Sequence, residues 1–590
     1  MRMTKRVLAL ALTGLLLAAC SHKDKDAPLA FVPADTPYVL ANLDVLDDST
    51  RQAIFTQIDA EMPAQVAQMK SQADQLATND PDTAKYLRTV ASEFDGKTAE
   101  QITQEAGVDP KGHAALYGLG LSPVLRIELA DPAAFQSFVA KLQNDYGKKF
   151  DVATIGQQSY QRYMANASHL QFIIAVVGKQ AVLAMLPVDA DQPLLRQTLG
   201  LDRPAKSVQD TDRLKDLAKD KGYAPWAVGL VDMARLLPLV TGGQDPLSQA
   251  FLKARAEAES AKTGEPVANL MQVPPSCQTD ATRIAARIPQ MSLGYTTLDD
   301  KHRDMRFDVS LANDIASAFS GLKVELPGLG SHPTAPFEVS LALPVTQLRA
   351  FWGAQADAVA AKPFTCPVLD NLNDTFGSLG DSMQKAAVPP IGDLLGVHVA
   401  LDNYTSNPGG GMPKFSGRLV IGTNNAAGLL AMAQVTSPLL AGIKLANDGT
   451  PSALPAQLIN ALGEPGWAAM TPKSVSMAVG TGEDGKLADM LKQPVGDAGE
   501  LMRMHLDGDM YSNWIDLMAQ KAENAATMAA AMGPSNGDDQ DSQKAAATAA
   551  ANTKAQFAAM KSEAARIQAI SADVRMEDQG LVIMTHTELK

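Results

Sequence analysis

Three cysteines and eight histidines are the side chains of this 590-residue chain best suited to ligate a metal or attack a bond. The histidines, His22, His113, His169, His302, His332, His398, His505 and His586, lie too far apart for any two to form a local metal motif. Met502, Met504 and His505 offer the soft donors that suit copper, but Met502, Met504 and Leu506 alternate along one strand, the pattern of a packed face. Gly96-Lys97-Thr98 has the end of a phosphate-binding loop with Ala91 where the upstream glycine belongs, and reads as one helix ending and another starting. Gly118 and Gly120 miss the dinucleotide fingerprint because Pro123 replaces its third glycine, so they mark a close strand approach. Asp232, with Asp507 or Asp509, stands where a strand run gives way to a helix run, as a helix cap would. The sequence therefore offers no catalytic residue, no metal site and no cofactor, and the expectation is a protein that is not an enzyme. A convergent triad of distant residues would leave no mark in it.

One cysteine, Cys20, stands in a setting of another kind. Arg2, Lys5 and Arg6 precede the apolar run Val7 to Leu17, which is too short to span a bilayer at about 20 residues per crossing. Leu17-Ala18-Ala19-Cys20 closes the run and resembles the lipobox of bacterial lipoproteins. That resemblance implies cleavage before Cys20, a diacylglyceryl group on its sulfur and a further fatty acyl group such as palmitate on its nitrogen. Residues 1–19 are then a signal peptide and 20–30 a lipidated tether, polar from Ser21 to Asp26. Several acyl chains hold a protein stably at a membrane where one would not. Ser21, in place of the aspartate that favours inner-membrane retention in such lipoproteins, implies the periplasmic face of the outer membrane.

Lys and Arg number 51 against 65 Asp and Glu, and loss of the leader removes three of the basic residues. Such acidity repels phosphate backbones, which excludes nucleic acid as a partner. Cys277 and Cys366, the pair left over, would face an oxidising periplasm and are expected to form a disulfide, with two buried free thiols as the alternative.

Self-similarity carries the expected fold. The segment from Val124 aligns without a gap to that from Arg418, so that Leu125 and Ile127 meet Leu419 and Ile421, and Phe135 and Phe138 meet Leu429 and Met432. Val39, Ala41, Leu43 and Val45 are expected to match Val339, Leu341, Leu343 and Val345 on one face, and Met291, Leu293 and Tyr295 to match Ile570, Ala572 and Val574. Tight hairpins demand antiparallel pairing. The fold class is thus α+β, in two tandem pseudo-repeats, each an antiparallel sheet covered by helices: 31–325 with a helical insertion near 49–106, a Pro/Gly linker 326–334, and 335–590 with a low-complexity loop from Gly533 to Ser542.

Phe31-Val32-Pro33-Ala34-Asp35-Thr36-Pro37-Tyr38-Val39, Tyr117-Gly118-Leu119-Gly120 and Pro123-Val124-Leu125-Arg126 resemble uncharacterised proteobacterial lipoproteins and domain-of-unknown-function families, a resemblance that implies no activity. The functional expectation is a membrane-anchored binding or interaction protein of the cell envelope, with an envelope protein as partner. The alternative is a carrier of an apolar ligand or lipid held between the repeats. Mass spectrometry of the native amino terminus checks the anchor: acyl mass on a chain starting at Cys20 is expected, and a retained leader would refute it.

Overall fold

The computed structural model describes residues 24–590 except 78–79, 166–167, 387, 406–413, 532–552, 555 and 559. The leader, Cys20 and the loop Gly533 to Ser542 lie outside the described residues. Period-two runs become strands wherever turn residues bound them. The first ten are β1 (Tyr38–Ala41), β2 (Ala114–Leu119), β3 (Ser122–Glu128), β4 (Asp151–Ile155), β5 (Gln158–Ala165), β6 (Leu170–Val177), β7 (Gln180–Pro187), β8 (Val228–Asp232), β9 (Gln290–Leu298) and β10 (His302–Ser310). Nine follow: β11 (Phe337–Ala342), β12 (Leu394–Thr405), β13 (Lys414–Thr423), β14 (Ser452–Ala453), β15 (Gly466–Thr471), β16 (Ser474–Val479), β17 (Glu500–Asp507), β18 (Ile567–Glu577) and β19 (Gly580–Leu589).

All nineteen join one antiparallel sheet, ordered β4-β5-β6-β7-β3-β2-β1-β8-β9-β10-β19-β18-β17-β11-β12-β13-β16-β15-β14. The class is α+β, with a large antiparallel sheet and helices. Its centre is the pairing of β10 with β19, which runs without a break from His302 opposite Glu588 to Ser310 opposite Gly580. Both outer edges are blunt, as unpaired strands must be to avoid templating another chain: β14 has two residues, and β4 begins at Asp151 just after Lys148 and Lys149.

Alternate residues of each strand face opposite layers. On one face of the first half Val39, Tyr117, Val124, Val182 and Leu230 are buried beneath Val32, Leu199, Val208, Leu214 and Tyr223. On the other, Phe135 and Val139 of the helix Pro132–Tyr146 pack against Ala181, Ile174 and Leu183. That helix starts at Pro132 because Asp131 accepts hydrogen bonds from the N–H groups of Ala133 and Ala134 and proline suits the first turn. Three helices, Asp48–Leu76, Pro81–Phe94 and Ala99–Glu105, occupy the stretch between β1 and β2. The last is capped by Thr98 in a reciprocal capping box with Gln101, which accounts for Gly96-Lys97-Thr98 without a phosphate.

The expected match of Val39 to Val339 is wrong by one residue. An unbroken row of cross-strand partners, Leu40, Gly229, Leu293, Phe307, Ile583, Val574, Met502 and Leu341, puts Leu341 on the face of Leu40 and not of Val39. A slip of one exchanges the two faces. The sheet face that carries the buried Val39 and Ala41 in β1 therefore carries the buried Glu338, Ser340 and Ala342 in β11. Leu43 and Val45 lie beyond the end of β1, Leu343 lies beyond β11, and Val345 opens the helix Val345–Ala361.

Two short segments outside the sheet and the α-helices are packed tightly. Phe31 lies between the guanidinium groups of Arg126 and Arg203, at 3.9 and 4.2 Å from its ring centre. Arg126 is fully buried and in no ion pair among the described residues; each of its three nitrogens donates, to the Tyr117 hydroxyl, the Gln180 side-chain oxygen and the Thr198 carbonyl. Leu326 and Leu329, in the Pro/Gly-rich segment 326–334, are likewise fully buried against Ala342 and Leu395.

Cys277 and Cys366 are bonded to each other, with Cα atoms 4.4 Å apart. The bond ties the helix Pro275–Arg287 to the segment after Val345–Ala361, and Asp280 accepts the N–H groups of Thr365 and Cys366 at the same joint. Replacing both cysteines by serine opens a loop of 89 residues and should lower stability by about 4–5 kcal/mol in the chain-entropy view. Urea unfolding measures it, and an unchanged midpoint would contradict that role.

Candidate functional site

The sheet face that buries Val39 is not covered along its whole width. In the first half it lies beneath the layer containing Val32, Leu214 and Tyr223, and in the second beneath Leu326, Leu329, Leu487 and Met490. Between these banks two rows of paired residues cross β10, β19, β18, β17 and β11. One row is Asp304, His586, Ser571, His505 and Glu338; the other is Arg306, Met584, Asp573, Arg503 and Ser340. Directly paired residues share a face, so these side chains form one polar strip along the middle of the sheet. Its floor is partly open: the His586 side chain is 39% exposed, Asp573 29% and His505 20%.

Charges on the strip are paired across strands. His586 Nδ1 lies 3.2 Å from Asp304, and Arg503 lies 3.4 Å from Asp573 while also bonding Glu500. On one bank the Tyr223 ring packs against Gly294, and its hydroxyl donates to Asp308 at 2.5 Å. Burial pushes the Asp308 carboxyl up, yet Arg306, Tyr223 and Lys221 outweigh it and hold the group below the ordinary value. On the other bank His398, with no exposed surface, is 2.9 Å from Glu338 through Nε2 and 2.9 Å from the Pro327 carbonyl through Nδ1. Glu338 also accepts the N–H groups of Thr334 and Ala335. Gly328 has φ +91, and a Cβ there would stand 2.1 Å from the His398 ring, so glycine is what lets this segment seat on the histidine.

Ser571, His505 and Asp507 are joined in a line, with Ser571 Oγ 3.0 Å from Nδ1 and Asp507 2.9 Å from Nε2. The order is that of a hydrolytic triad, but the surroundings are not. Ser571 sits inside β18, which is paired on both sides, so the backbone N–H groups around it are spent in the ladder and none is left for an oxyanion. The three side chains act as a cross-strand hydrogen-bonded set on the strip.

A second charged group lies where the β12–β13 hairpin meets the helix Glu483–Met490. Arg418 bonds Asp402 at 2.8 Å and Glu483 at 2.6 Å, and Lys486 bridges the same two carboxylates. Burial and the neighbouring Asp402 raise the Glu483 carboxyl, whereas Arg418 and Lys486 overcome burial at Asp402 and bring it down to about 2. These oxygens are taken up by protein cations, and the group ties hairpin to helix.

The other residues singled out in the sequence are dispersed. Met502 and Met504 pair with Leu341 and Val339 on the face opposite His505, so no copper-type trio assembles. Among the described residues no group of three or more His, Cys, Asp or Glu is placed to hold a metal ion. Asp232 accepts the Arg235 N–H as a helix cap, Asp507 turns to His505, and Asp509 is 93% exposed. Gly120, with φ +58, brings the β2–β3 turn against Asp245. No helix among the described residues is long and apolar enough to cross a membrane. No family model matches the chain, and comparison with curated proteins and with solved structures gives no significant match.

Sequence reading missed the strip because its members come from residues 304 to 586 and meet only through strand pairing. His505 and Asp507, two apart on one strand, were the one local signal.

Glu338 gives a pH-dependent test. Burial raises its carboxyl, but His398 and the two backbone N–H groups win and hold it below 4.5. A depressed folded value contributes stability above the unfolded value, and that contribution fades as pH falls through the folded one. Glu338→Gln should cost on the order of 2–3 kcal/mol at neutral pH. In urea titrations the gap to the native chain should shrink below about pH 4, the unfolded carboxylate range; a gap constant from pH 7 to 3 would remove this assignment.

Proposed function

We propose that this chain is a non-catalytic binding protein of the bacterial envelope, lipid-anchored through Cys20 on the periplasmic face of the outer membrane, and that it engages an envelope protein along the polar strip. The observation that carries the reading is the strip itself. A sheet face covered on both sides and left half-open along a charged midline offers area and hydrogen-bonding groups to a protein surface, without the enclosed cavity or oxyanion donors that turnover requires. A floor of Asp304, Arg306, Asp573, Arg503 and His586 does not suit an apolar ligand held between the halves.

The same reading holds that the chain arose by tandem duplication. Supporting it, and setting aside the edge strand β4, which has no counterpart in the second series, strands follow the same order of roles toward the centre, β5-β6-β7-β3-β2-β1-β8-β9-β10 and β14-β15-β16-β13-β12-β11-β17-β18-β19. Single hydrogen bonds recur at matching places. Asp232 donates its N–H to Pro37 and Asp507 its own to Pro336; Leu129 donates to Lys179 and Thr423 to Lys473. Pro33 bridges Ser207 and Pro327 bridges Val495, so the segment 326–334 takes the place in the second unit that Pro28 to Ala34 holds in the first.

Site-specific photocrosslinking in intact cells tests the binding reading. A crosslinker in place of Met584, on the strip, should capture a discrete protein, whereas one at Val435, 86% exposed on the helix Ala426–Thr436, should not. Equal capture at both positions, or none at Met584, would count against the strip as the binding surface.

A further inference from the structure

The sheet face opposite the strip is apolar across the same seam. Arg303, Met305, Phe307 and Val309 alternate onto it along β10. From Phe307 the row of cross-strand partners runs through Ile583, Val574, Met502 and Leu341, and from Met305 through Thr585, Ala572, Met504 and Val339. Neither row holds an ionisable side chain. Leu341 is 37% exposed, and Phe307, Ile583, Val574 and Met502 are half-buried, so this floor is only partly covered.

Three sides of the floor are bordered by helices. Toward the first half Tyr295 donates to Gln57 of the helix Asp48–Leu76, and toward the second Phe337 packs on Trp514 of the helix Gly508–Ala531. At the Val309 end Leu581 and Phe351 pack against Phe319. The remaining end, around Arg303, is charged. Arg566 donates to the Thr56 carbonyl at 3.1 Å, Gln57 donates to Glu61 at 2.8 Å, and the Arg566 N–H bonds the Glu563 carbonyl. Arg303 and Arg566 thus gather with Glu61 and Glu563, yet none of the four makes an ion pair among the described residues. Burial holds Arg303 below its usual value, and burial with the neighbouring Glu61 pushes the Glu563 carboxyl up.

Two cations and two anions without contact partners complement a head group that carries both signs. A purely anionic one would leave the two carboxylates facing like charge, and the acidity of the whole chain, 65 Asp and Glu against 51 Lys and Arg, disfavours it further. Length agrees as well. Arg303 to Val309 spans about 20 Å of strand, room for the roughly 15 Å of hydrocarbon in one bilayer leaflet. Met305, Met502 and Met504 give the floor adaptable side chains.

We propose that this slot binds one phospholipid of the phosphatidylethanolamine class, its phosphate at Arg303 and Arg566, its ammonium at Glu61 and Glu563, and its hydrocarbon over Met305, Phe307, Ile583 and Met502. The assignment goes beyond the strip and stands whatever binds there.

Photolabelling tests it. The full mature protein is mixed with vesicles of phosphatidylethanolamine and phosphatidylglycerol, one or the other carrying a photoreactive acyl chain. Phosphatidylethanolamine should label Phe307, Ile583 or Met502 and leave Met584 on the strip untouched, and phosphatidylglycerol should label the same floor about tenfold less. Leu341→Lys, at an exposed floor position, should abolish the labelling at an unchanged melting temperature. Arg303→Met should lower phosphatidylethanolamine labelling about tenfold, the loss of one charge-assisted hydrogen bond, and leave labelling by a photoreactive diacylglycerol unchanged. An unlabelled floor, equal labelling of both faces, equal labelling by the two phospholipids, or undiminished labelling of a folded Leu341→Lys protein would overturn the proposal.

Discussion

The pairing of β10 with β19 is the constraint on which the architecture rests. It joins the last strand of the chain to the tenth and so turns two sheets into one, with an uninterrupted ladder from His302 to Ser310. Without it each half would end in a long bare edge, β10 on one side and β19 on the other. The strip exists because of this seam: three of its five strands, β10, β19 and β18, meet there, and neither covering layer reaches across. The bond between Cys277 and Cys366 restrains the same junction from the helical side, so the two halves are held by backbone hydrogen bonds through the sheet and by a covalent link outside it.

The two covering layers solve one packing problem by different chemistry. In the first half the sheet presents Val39, Ala41, Tyr117 and Val124, and burial of apolar surface suffices. In the second the equivalent side presents Glu338, Ser340 and His398, which can be buried only if each polar group finds a partner. The segment around Pro327 and Gly328 supplies them, with a carbonyl for His398 and the N–H groups of Thr334 and Ala335 for Glu338. Polar burial of this kind fixes position more sharply than apolar contact, because a displaced segment leaves buried groups unpaired.

That difference also explains what could be read in the residues beforehand. The strand alternation at Leu125 and Ile127 and at Met291, Leu293 and Tyr295, and the α+β class, were legible because apolar alternation and turn chemistry act locally. The register of β11 was not. Val339 and Leu341 look like an inward face, but they point to the side where Phe337 stacks on Trp514, and the deeper side is the polar one. Hydrophobic pattern assigns faces correctly only where the buried face is apolar. The cysteine pairing needed no pattern at all beyond two residues with no other partner, whereas the strip, assembled from residues up to 282 apart such as Asp304 and His586, had no local trace.

The clamp on the amino-terminal segment sets a distance. Gln209 holds the carbonyl of Asp24, Arg203 pairs with Asp26, and Phe31 is locked between two guanidinium groups. Asp24 stands four positions after Cys20, a leash of at most about 14 Å at full extension. A lipid on that cysteine would therefore leave the folded body no room to roam: it would rest close against the bilayer with one fixed side turned to the headgroups, and any partner on the midline would be met at a set height and orientation above the lipid.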